Sequence, residues 1–312
     1  MPAPNDSGSP HVSTPHPHRG ALLAIGGAED KAGDRAVLHE VVARAGGKQA
    51  VIAVFPTASS IPEEMAGTYE QIFRSMGAEV RTVWIEERAD GESPVELAKL
   101  EGATAIFFTG GSQGRIVTLL GGTPMAQAIR RAYRAGVVVA GTSAGASVIC
   151  DHMIAQGKKG YAPRRSSVTL APGLGLTKRL VIDQHFAQRH RIGRLFAAVA
   201  LNPFLIGVGI DEDTAIAIEA DNTLKVFGRG TVTIVDGARI AYTDIHDAPD
   251  AQPAALLGLS VHVLTQGCGF SIDARTPTWQ GAPRRSLRPP APAQSPAPAP
   301  SPSPAPSPEE PP

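Results

Sequence analysis

A serine between two glycines stands directly after a β-branched apolar run, in VVVAGTSAGASVI at residues 137–149. Gly141-Thr142-Ser143-Ala144-Gly145 has the form G-x-S-x-G, in which a reactive serine occupies a sharp turn between a strand and a helix. The residues beside the serine must then be small, so that the chain can fold back. Tight strand–helix packing needs the same small residues. The motif alone therefore allows two interpretations, a nucleophile or a packed turn.

A nucleophilic serine needs a base, and the positions of the nine histidines narrow the choice. His185 follows the apolar run RLVID, so we expect it at the carboxyl edge of the sheet with Ser143, and it is the favoured base. The remaining histidines are expected in the leader, on helices or in the C-terminal β region: His11, His16, His18, His39, His152, His190, His246 and His262. His152 is expected on the helix that starts at the serine, about 13 Å along its axis. His190 is a weaker candidate within a later helix.

The carboxylate that orients the base is expected after a third strand, in LIGVGIDEDTAI. Asp211, Glu212 and Asp213 follow that strand directly, and Glu212 or one of its neighbours is preferred over a plain acidic surface turn. Asp183 lies on the strand of His185 but is not expected to reach the ring. The order serine, histidine, acid differs from the serine, acid, histidine order of α/β-hydrolases, which argues against an ordinary lipase or esterase.

Two backbone amides are candidates for stabilising an oxyanion beside Ser143. The amide of Ala144 begins the new helix, and FFTGGSQGRI at residues 107–116 places Gly111 just after another strand. Gln113 in the same turn is expected to contact the substrate. A glycine-rich turn at a strand end is the alternative interpretation.

Positive charge is concentrated just after the expected base, in AQRHRIGRL. Arg189, Arg191 and Arg194 suit bidentate binding of substrate carboxylates, although a solvated basic helix is the usual meaning of such a run.

The elements that must position these residues alternate between short apolar runs and longer amphipathic stretches. Near-continuous Val, Ile and Ala runs are typical of strands covered on both faces, and their alternation with helices predicts right-handed crossovers. We therefore predict an α/β fold with three layers, a doubly wound, mainly parallel sheet, and a nucleophile turn. The region from residue 214 onward is predicted to form β-hairpins at an edge of the sheet.

Composition limits how the 312 residues can be divided into folded and unfolded segments. We predict a disordered leader over residues 1–18, one domain over 19–285, and a disordered Pro/Ala/Ser-rich tail over 286–312. The 29 basic and 29 acidic residues balance, so no overall field favours nucleic acid, and no apolar run is long enough for a membrane span. Two cysteines and no recognisable signal peptide favour the cytoplasm. No metal or other cofactor is expected.

With these residues assembled, the chain resembles the cyanophycinases, serine peptidases of the family that also contains α-aspartyl dipeptidase. The resemblance runs over about residues 20–275. The motifs that carry it are AIGGAEDK at 24–31, FPTAS at 55–59, FFTGGSQGRI at 107–116, GTSAGAS at 141–147, DQHFAQRHRIGRL at 183–195 and GIDEDTA at 209–215. One departure is Ser112, where the family commonly has an acidic residue, and it leaves the shape of the Gln113 turn open.

The resemblance implies a role for each matched position. Ser143 is the implied nucleophile, His185 the base and Glu212 the third member of the triad. The implied substrate-groove residues are Gln113, Gln184, Arg189, Arg191 and Arg194. The implied substrate is cyanophycin, a polyaspartate with arginine on its side-chain carboxyls, cut to β-aspartyl-arginine dipeptides by a homodimer. A dipeptidase for short aspartyl peptides and a non-catalytic module that binds a carboxylate-rich polymer are the alternatives.

Overall fold

The structure is a computed structural model that describes residues 18–279. The predicted tail over 286–312 lies outside the described residues, as does the predicted leader except for its last residue. The domain boundaries at 19 and 285 therefore stay predictions. Between residues 18 and 279, no helix has the length and apolar character needed to cross a lipid bilayer.

The described residues alternate between strands and helices along most of the chain. The strands are β1 (Leu22–Ile25), β2 (Val51–Phe55), β3 (Glu79–Thr82), β4 (Ala105–Phe108), β5 (Val138–Thr142), β6 (His152–Gly157), β7 (Val168–Pro172), β8 (Leu180–Gln184), β9 (Ile206–Ile210), β10 (Thr214–Ile218), β11 (Thr223–Gly228), β12 (Val232–Asp236), β13 (Tyr242–Thr243), β14 (Leu256–Leu257), β15 (Ser260–Leu264), β16 (Cys268–Ser271) and β17 (Thr276–Trp279). The α-helices are α1 (Ala36–Arg44), α2 (Pro62–Ser75), α3 (Pro94–Ala98), α4 (Gln113–Leu120), α5 (Pro124–Arg134), α6 (Ala144–Val148) and α7 (Ile192–Leu201).

A nine-stranded sheet forms the centre, in the order β17-β16-β11-β10-β1-β5-β4-β2-β3. The strands from β1 to β3 in this order are parallel, and the pairs from β1 to β17 are antiparallel. The carboxyl ends of β1, β4 and β5 therefore meet at one edge of the sheet, where ligands bind in folds of this kind.

Helices cover both faces of this sheet. Leu23 belongs to the apolar cluster that contains Val37 and Val41 of α1, whereas its neighbour Leu22 belongs to the cluster on the opposite face, which contains Ile129 of α5. Successive strand residues point to opposite faces, so a strand buried on both sides must be apolar at every position. The predicted α/β class with three layers is confirmed.

Strands β8 and β9 do not lie in the large sheet, contrary to the expectation of a single doubly wound sheet. They belong to a second, four-stranded sheet with the order β15-β12-β9-β8. In β9, apolar residues alternate with Gly207 and Gly209, and a Cβ at Gly207 would lie 2.9 Å from side-chain atoms of Leu195 and Val199 in α7. Gly207 lets α7 pack closely on this sheet, and Gly209 makes room for the Phe186 ring, 2.5 Å from where its Cβ would lie. An apolar run in the sequence does not reveal which sheet the strand joins.

The C-terminal β region extends the parallel strands toward one edge of the large sheet with the antiparallel pairs β10–β11 and β16–β17, as predicted, whereas β12 and β15 join the second sheet. Strand β10 pairs antiparallel with β1 inside the large sheet, so its preceding turn lies beside the end of β1. The apolar stretch over 223–235 is divided into β11 and β12, which belong to different sheets. Gly228 allows this change of direction, because it has a φ of 106° and a Cβ there would lie 2.4 Å from the carbonyl oxygen of Asp213.

Candidate active site

Ser143 occupies the turn between β5 and α6, with backbone angles φ 53° and ψ −111°. A positive φ is costly for a residue other than glycine, and such strain persists where the surrounding structure fixes it. The Ser143 amide donates a hydrogen bond of 2.9 Å to the carbonyl oxygen of Ile25, at the end of β1. The turn therefore holds the serine at the carboxyl edge of the large sheet.

Close packing explains the two glycines that flank this turn. A Cβ at Gly141 would lie 2.2 Å from the carbonyl oxygen of Gly145, and a Cβ at Gly145 would lie 2.4 Å from that of Phe108. Neither position accepts a side chain without movement of the backbone, because interiors are close-packed. The packing interpretation thus accounts for the glycines, and it is compatible with a reactive serine between them.

His185 follows β8 and extends from the second sheet to the serine. Its Nε2 lies 2.9 Å from the Ser143 hydroxyl. The His185 amide donates to the carbonyl oxygen of Gly26 at 2.8 Å, and a Cβ at Gly27 would lie 2.4 Å from the imidazole ring. No role was predicted for these two glycines, although a glycine pair directly after β1 is a signal of close approach. Gly27 lets the ring pack directly against the loop that follows β1, whereas a Cβ at Gly26 would lie 1.9 Å from the carbonyl oxygen of Asp211.

Glu212 is the acid that reaches the ring. Its Oε1 lies 2.6 Å from Nδ1 of His185. Asp211 instead accepts hydrogen bonds from backbone amides at 3.0 and 3.1 Å, and Asp213 accepts one from the amide of Asp30 at 2.9 Å. Of the three consecutive acids, the outer two organise loops and the central one orients the imidazole.

This arrangement favours the neutral, basic form of His185. Burial lowers the pKa of His185 below its usual value of 6.5, and the positive charges of Arg189 and Arg191 lower it further. The hydrogen bond and charge of Glu212 act in the opposite direction but do not reverse the shift. With Nδ1–H donating to Glu212, Nε2 is left free to accept the proton of Ser143.

The charge of Arg189 gives a test of this electrostatic balance. Arg189→Gln removes a positive charge that disfavours the imidazolium, so the pKa of His185 should rise and the acid limb of kcat/KM should move to higher pH. Arg189→Lys keeps the charge and should keep the limb near its wild-type position. The pH dependence of kcat/KM measures both variants, and an unchanged limb in Arg189→Gln would contradict the assignment of His185 as the titrating base.

The predicted oxyanion donors lie on two turns beside the serine. A Cβ at Gly110 would lie 3.4 Å from the Ser143 Cβ and 3.9 Å from its Oγ, so the glycine pair after β4 borders the hydroxyl. Gly111 has a φ of 142°, and a Cβ there would lie 2.0 Å from the carbonyl oxygen of Ala58. Ala144 is the first residue of α6. Their amides stay predictions as donors to the oxyanion.

Gln113 anchors a neighbouring strand. Its Nε2 donates hydrogen bonds to the carbonyl oxygens of Ile154 at 3.1 Å and Ala155 at 3.0 Å, both in β6. Ser112 caps α4, because its hydroxyl accepts a hydrogen bond from the amide of Arg115 at 3.3 Å. Serine is among the best helix N-caps, so the departure from an acidic residue at this position is compatible with a regular turn.

The three arginines after His185 differ in their surroundings. Arg194 is buried and its Nε donates to Asp183 at 2.6 Å, while Arg191 lies 3.1 Å from the same carboxylate. Arg191 also contacts the side chain of Gln184, which donates to a serine hydroxyl of α6 at 3.3 Å. Burial and the neighbouring arginines lower the pKa of Arg191 to about 10, against the opposing effect of Asp183. Arg189 is exposed.

Asp183 pairs with Arg191 and Arg194, a role as the anchor of two arginines that the sequence analysis does not predict. A fully buried carboxylate in an apolar strand was the available signal, since such a charge needs a cationic partner.

Two of the other histidines occupy elements that differ from those predicted. Helix α6 ends at Val148, so His152 begins β6 and is not on the helix that starts at the serine. His190 lies in the turn before α7 with a φ of 51°, and its Nδ1 lies 3.1 Å from the Tyr161 hydroxyl. Both helix predictions were wrong. The small residues after Ser143 are compatible with a longer helix, but α6 ends at Val148. The basic residues after His185 are also compatible with a helix, but α7 begins only at Ile192.

Comparison with known proteins supplies independent information. The chain matches the family described as Peptidase family S51 over residues 22–226. It is 43% identical over 267 residues to the cyanophycinase of Trichormus variabilis, covering 85% of this chain and 90% of that protein. It is 44% identical over 257 residues to the cyanophycinase of Synechococcus elongatus, with 82% and 80% covered. The corresponding protein of Geminocystis herdmanii is 40% identical over 261 residues, with 83% and 96% covered.

A solved structure supports the fold. The crystal structure of a peptidase from an acI-B1 Actinobacterium superposes with a TM-score of 0.60 at 24% sequence identity, covering 82% of this chain and 98% of the other. At this identity the similarity concerns the arrangement of the elements alone.

Proposed function

The chain belongs to peptidase family S51, and from that premise we propose that it hydrolyses the polyaspartate backbone of cyanophycin to β-aspartyl-arginine dipeptides. The observation that carries the proposal is the continuous contact from Ser143 through His185 to Glu212, in a chain 43% identical to a protein named cyanophycinase. The contacts suit a serine peptidase, and the relatives indicate the polymer.

Acylation begins when the Ser143 hydroxyl attacks the main-chain carbonyl carbon of an aspartyl residue. His185 Nε2 takes the hydroxyl proton as the C–O bond forms, and the carbonyl electron pair moves onto oxygen. The amides of Gly111 and Ala144 stabilise that oxyanion. When it collapses, the C–N bond breaks and the imidazolium of His185 donates its proton to the leaving amine. An acyl-enzyme on Ser143 remains.

Deacylation repeats these steps with water as the nucleophile. His185 removes a proton from water as its oxygen attacks the ester, and then returns a proton to Ser143 as the leaving alkoxide. Glu212 keeps Nδ1 protonated throughout, so that Nε2 faces the serine. Its carboxylate also stabilises the imidazolium that forms twice in each cycle.

Binding of the substrate uses the basic segment after His185. Each repeat of the polymer presents the free α-carboxylate of its arginine, and a guanidinium can bind that group with two hydrogen bonds. Arg189 is exposed and available for this contact, whereas Arg191 and Arg194 are paired with Asp183. We place Arg189 in direct contact with the polymer and assign Gln113, Gln184, Arg191 and Arg194 to the lining of the groove.

Comparison of substrates of different length tests this proposal. The enzyme should hydrolyse insoluble cyanophycin with a kcat about 10-fold or more above that for Asp-X dipeptides, because remote binding energy lowers the barrier at the reacting bond. Initial rates on both substrates at matched saturation measure the ratio. Faster hydrolysis of Asp-X dipeptides than of the polymer would favour an α-aspartyl dipeptidase instead.

We also propose that the active form is a homodimer in the cytoplasm. Strand β15 lies at the edge of the second sheet, and its Val261 and Val263 are 45% and 64% exposed, which supports pairing with another copy. Cys150 and Cys268 are both unpaired, as is usual in a reducing compartment. A monomer mass by light scattering would contradict the first statement, and recovery of the protein from the extracellular medium would contradict the second.

A further inference from the structure

A buried carboxylate lies behind the nucleophile turn and takes no part in the mechanism described above. Glu29 follows the glycine pair after β1, and only 3% of its surface is exposed. Its Oε2 accepts a hydrogen bond of 2.6 Å from the Thr142 hydroxyl. Its Oε1 accepts one from the Tyr69 hydroxyl and lies 3.0 Å from the Lys31 ammonium.

These partners satisfy both oxygens of a carboxylate that would be costly to bury alone. Tyr69 lies on α2 with 1% of its surface exposed, and burial together with the negative charge of Glu29 raises the pKa of its hydroxyl well above the usual value. The hydroxyl is therefore protonated at neutral pH and can donate to Glu29. Lys31 supplies the compensating positive charge from the rim of the cluster, where its side chain is 33% exposed.

The cluster acts on the residue directly before the nucleophile. Thr142 is 2% exposed and ends β5, so fixing its side chain fixes the strand end from which the Ser143 turn departs. The loop that carries Glu29 also contacts the base, through the carbonyl oxygen of Gly26 and the close approach of Gly27 to the ring. The same loop thus contacts His185 and the residue directly before Ser143.

We propose that Glu29 is a positioning residue, whose bond to the Thr142 hydroxyl holds the strained Ser143 turn in register with His185. Tyr69 and Lys31 hold the carboxylate in place, and Thr142 transmits its position to the turn. The inference rests on the proposed role of Ser143 as the nucleophile. It gives residues 24–31 (AIGGAEDK) a role in positioning the Ser143 turn, which is separate from the roles of the triad and of the groove residues.

The test removes the hydroxyl without changing the shape of the side chain. Thr142→Val should slow the inactivation of Ser143 by a fluorophosphonate by about 10- to 100-fold, since small misplacements of reacting groups cost that much. Thr142→Ser keeps the hydroxyl and should restore most of the rate. The acid limb of the pH profile should not move in either variant, because the His185–Glu212 pair is untouched. KM for the substrate should also stay near the wild-type value.

A double-mutant cycle then tests whether Glu29 and Thr142 act through one bond. Glu29→Gln with Thr142→Val should lose no more activity than the more damaging single variant, because both remove the same interaction.

Tyr133→Phe is a matched control for Tyr69→Phe, since the buried hydroxyl of Tyr133 has no hydrogen-bond partner among residues 18–279. Tyr69→Phe should slow inactivation and Tyr133→Phe should not.

Two outcomes would overturn the proposal: wild-type reactivity in a folded Thr142→Val variant, or multiplication of the two single effects in the double variant. Thermal unfolding of each variant identifies the folded ones, and Thr142→Val keeps the test valid if Glu29→Gln does not fold. Labelling of the wild-type protein by the fluorophosphonate at a residue other than Ser143 would have a different meaning from these two outcomes. It would contradict the nucleophile itself, and with it the proposed function.

Discussion

Ser143→Ala is expected to lower the rate of cyanophycin hydrolysis by about 10⁴-fold or more, because it removes the hydroxyl on which the proposed acyl-enzyme forms. The turn should keep its shape, since the Ser143 amide bonds to Ile25 through the backbone. Binding of the polymer should persist, because the arginines after the base are unchanged. Measurement of kcat together with sedimentation of the protein with insoluble cyanophycin separates the two effects.

Ser75→Ala is the matched control for this substitution. Ser75 is the last residue of α2. Its hydroxyl donates to the carbonyl oxygen of Ile72 at 2.6 Å and accepts a hydrogen bond from Arg35. This variant should retain wild-type kcat. Hydrolysis by purified Ser143→Ala at more than a hundredth of the wild-type rate would require another nucleophile.

Glu212→Gln should reduce kcat by about 10³- to 10⁴-fold, with the larger part of the loss in the chemical step. Glutamine has the size of glutamate, but its amide can present N–H to Nδ1 of His185, which favours the tautomer with the proton on Nε2. That proton would block transfer from Ser143. Loss of the negative charge should also lower the pKa of His185 further, since Glu212 normally raises it. Any remaining activity should therefore have its acid limb at lower pH than in the wild type.

Asp213→Asn is the corresponding control among the neighbouring acids. The Asp213 carboxylate accepts a hydrogen bond from the Asp30 amide at 2.9 Å, and an asparagine oxygen can accept it equally well. We expect a change of less than about fivefold in kcat, because the asparagine keeps this hydrogen bond and loses only the ion pair with the exposed Arg229 at 3.5 Å, and such pairs contribute little. If Asp213→Asn and Glu212→Gln lost activity to the same extent, Glu212 could not be singled out as the partner of the base.

The strand ends that carry the site could be predicted from the sequence for a local reason. Each of Ser143, His185 and Glu212 follows a continuous apolar run, and such runs identify buried strands without knowledge of their partners. The number of candidate bases was then reduced, because most of the histidines are expected in elements away from this edge of the sheet. Among the three acids after β9, the local pattern leaves Glu212 and its neighbours open, because adjacent residues in a turn differ only in direction. The family resemblance implies Glu212, and the structure places the Glu212 carboxylate against His185.

The remaining features depend on contacts between distant residues. Membership of β8 and β9 in a second sheet follows from the pairing of β9 with β12, which no local pattern encodes. The pairing of Arg194 with Asp183 joins residues 11 apart across a turn that had been read as part of a helix. Glu29 was part of a recognised motif, yet its contact with Thr142 spans 113 positions. Periodicity describes one element at a time and cannot supply such partners.

The most direct test of the account is mass analysis of the products released from purified cyanophycin by the wild-type protein, with Ser143→Ala as the blank. The account predicts β-aspartyl-arginine dipeptides, because Ser143 attacks main-chain aspartyl carbonyls and leaves the side-chain bond to arginine intact. Free arginine accompanied by bare polyaspartate would show that the isopeptide bond is cut instead, and would contradict the central claim.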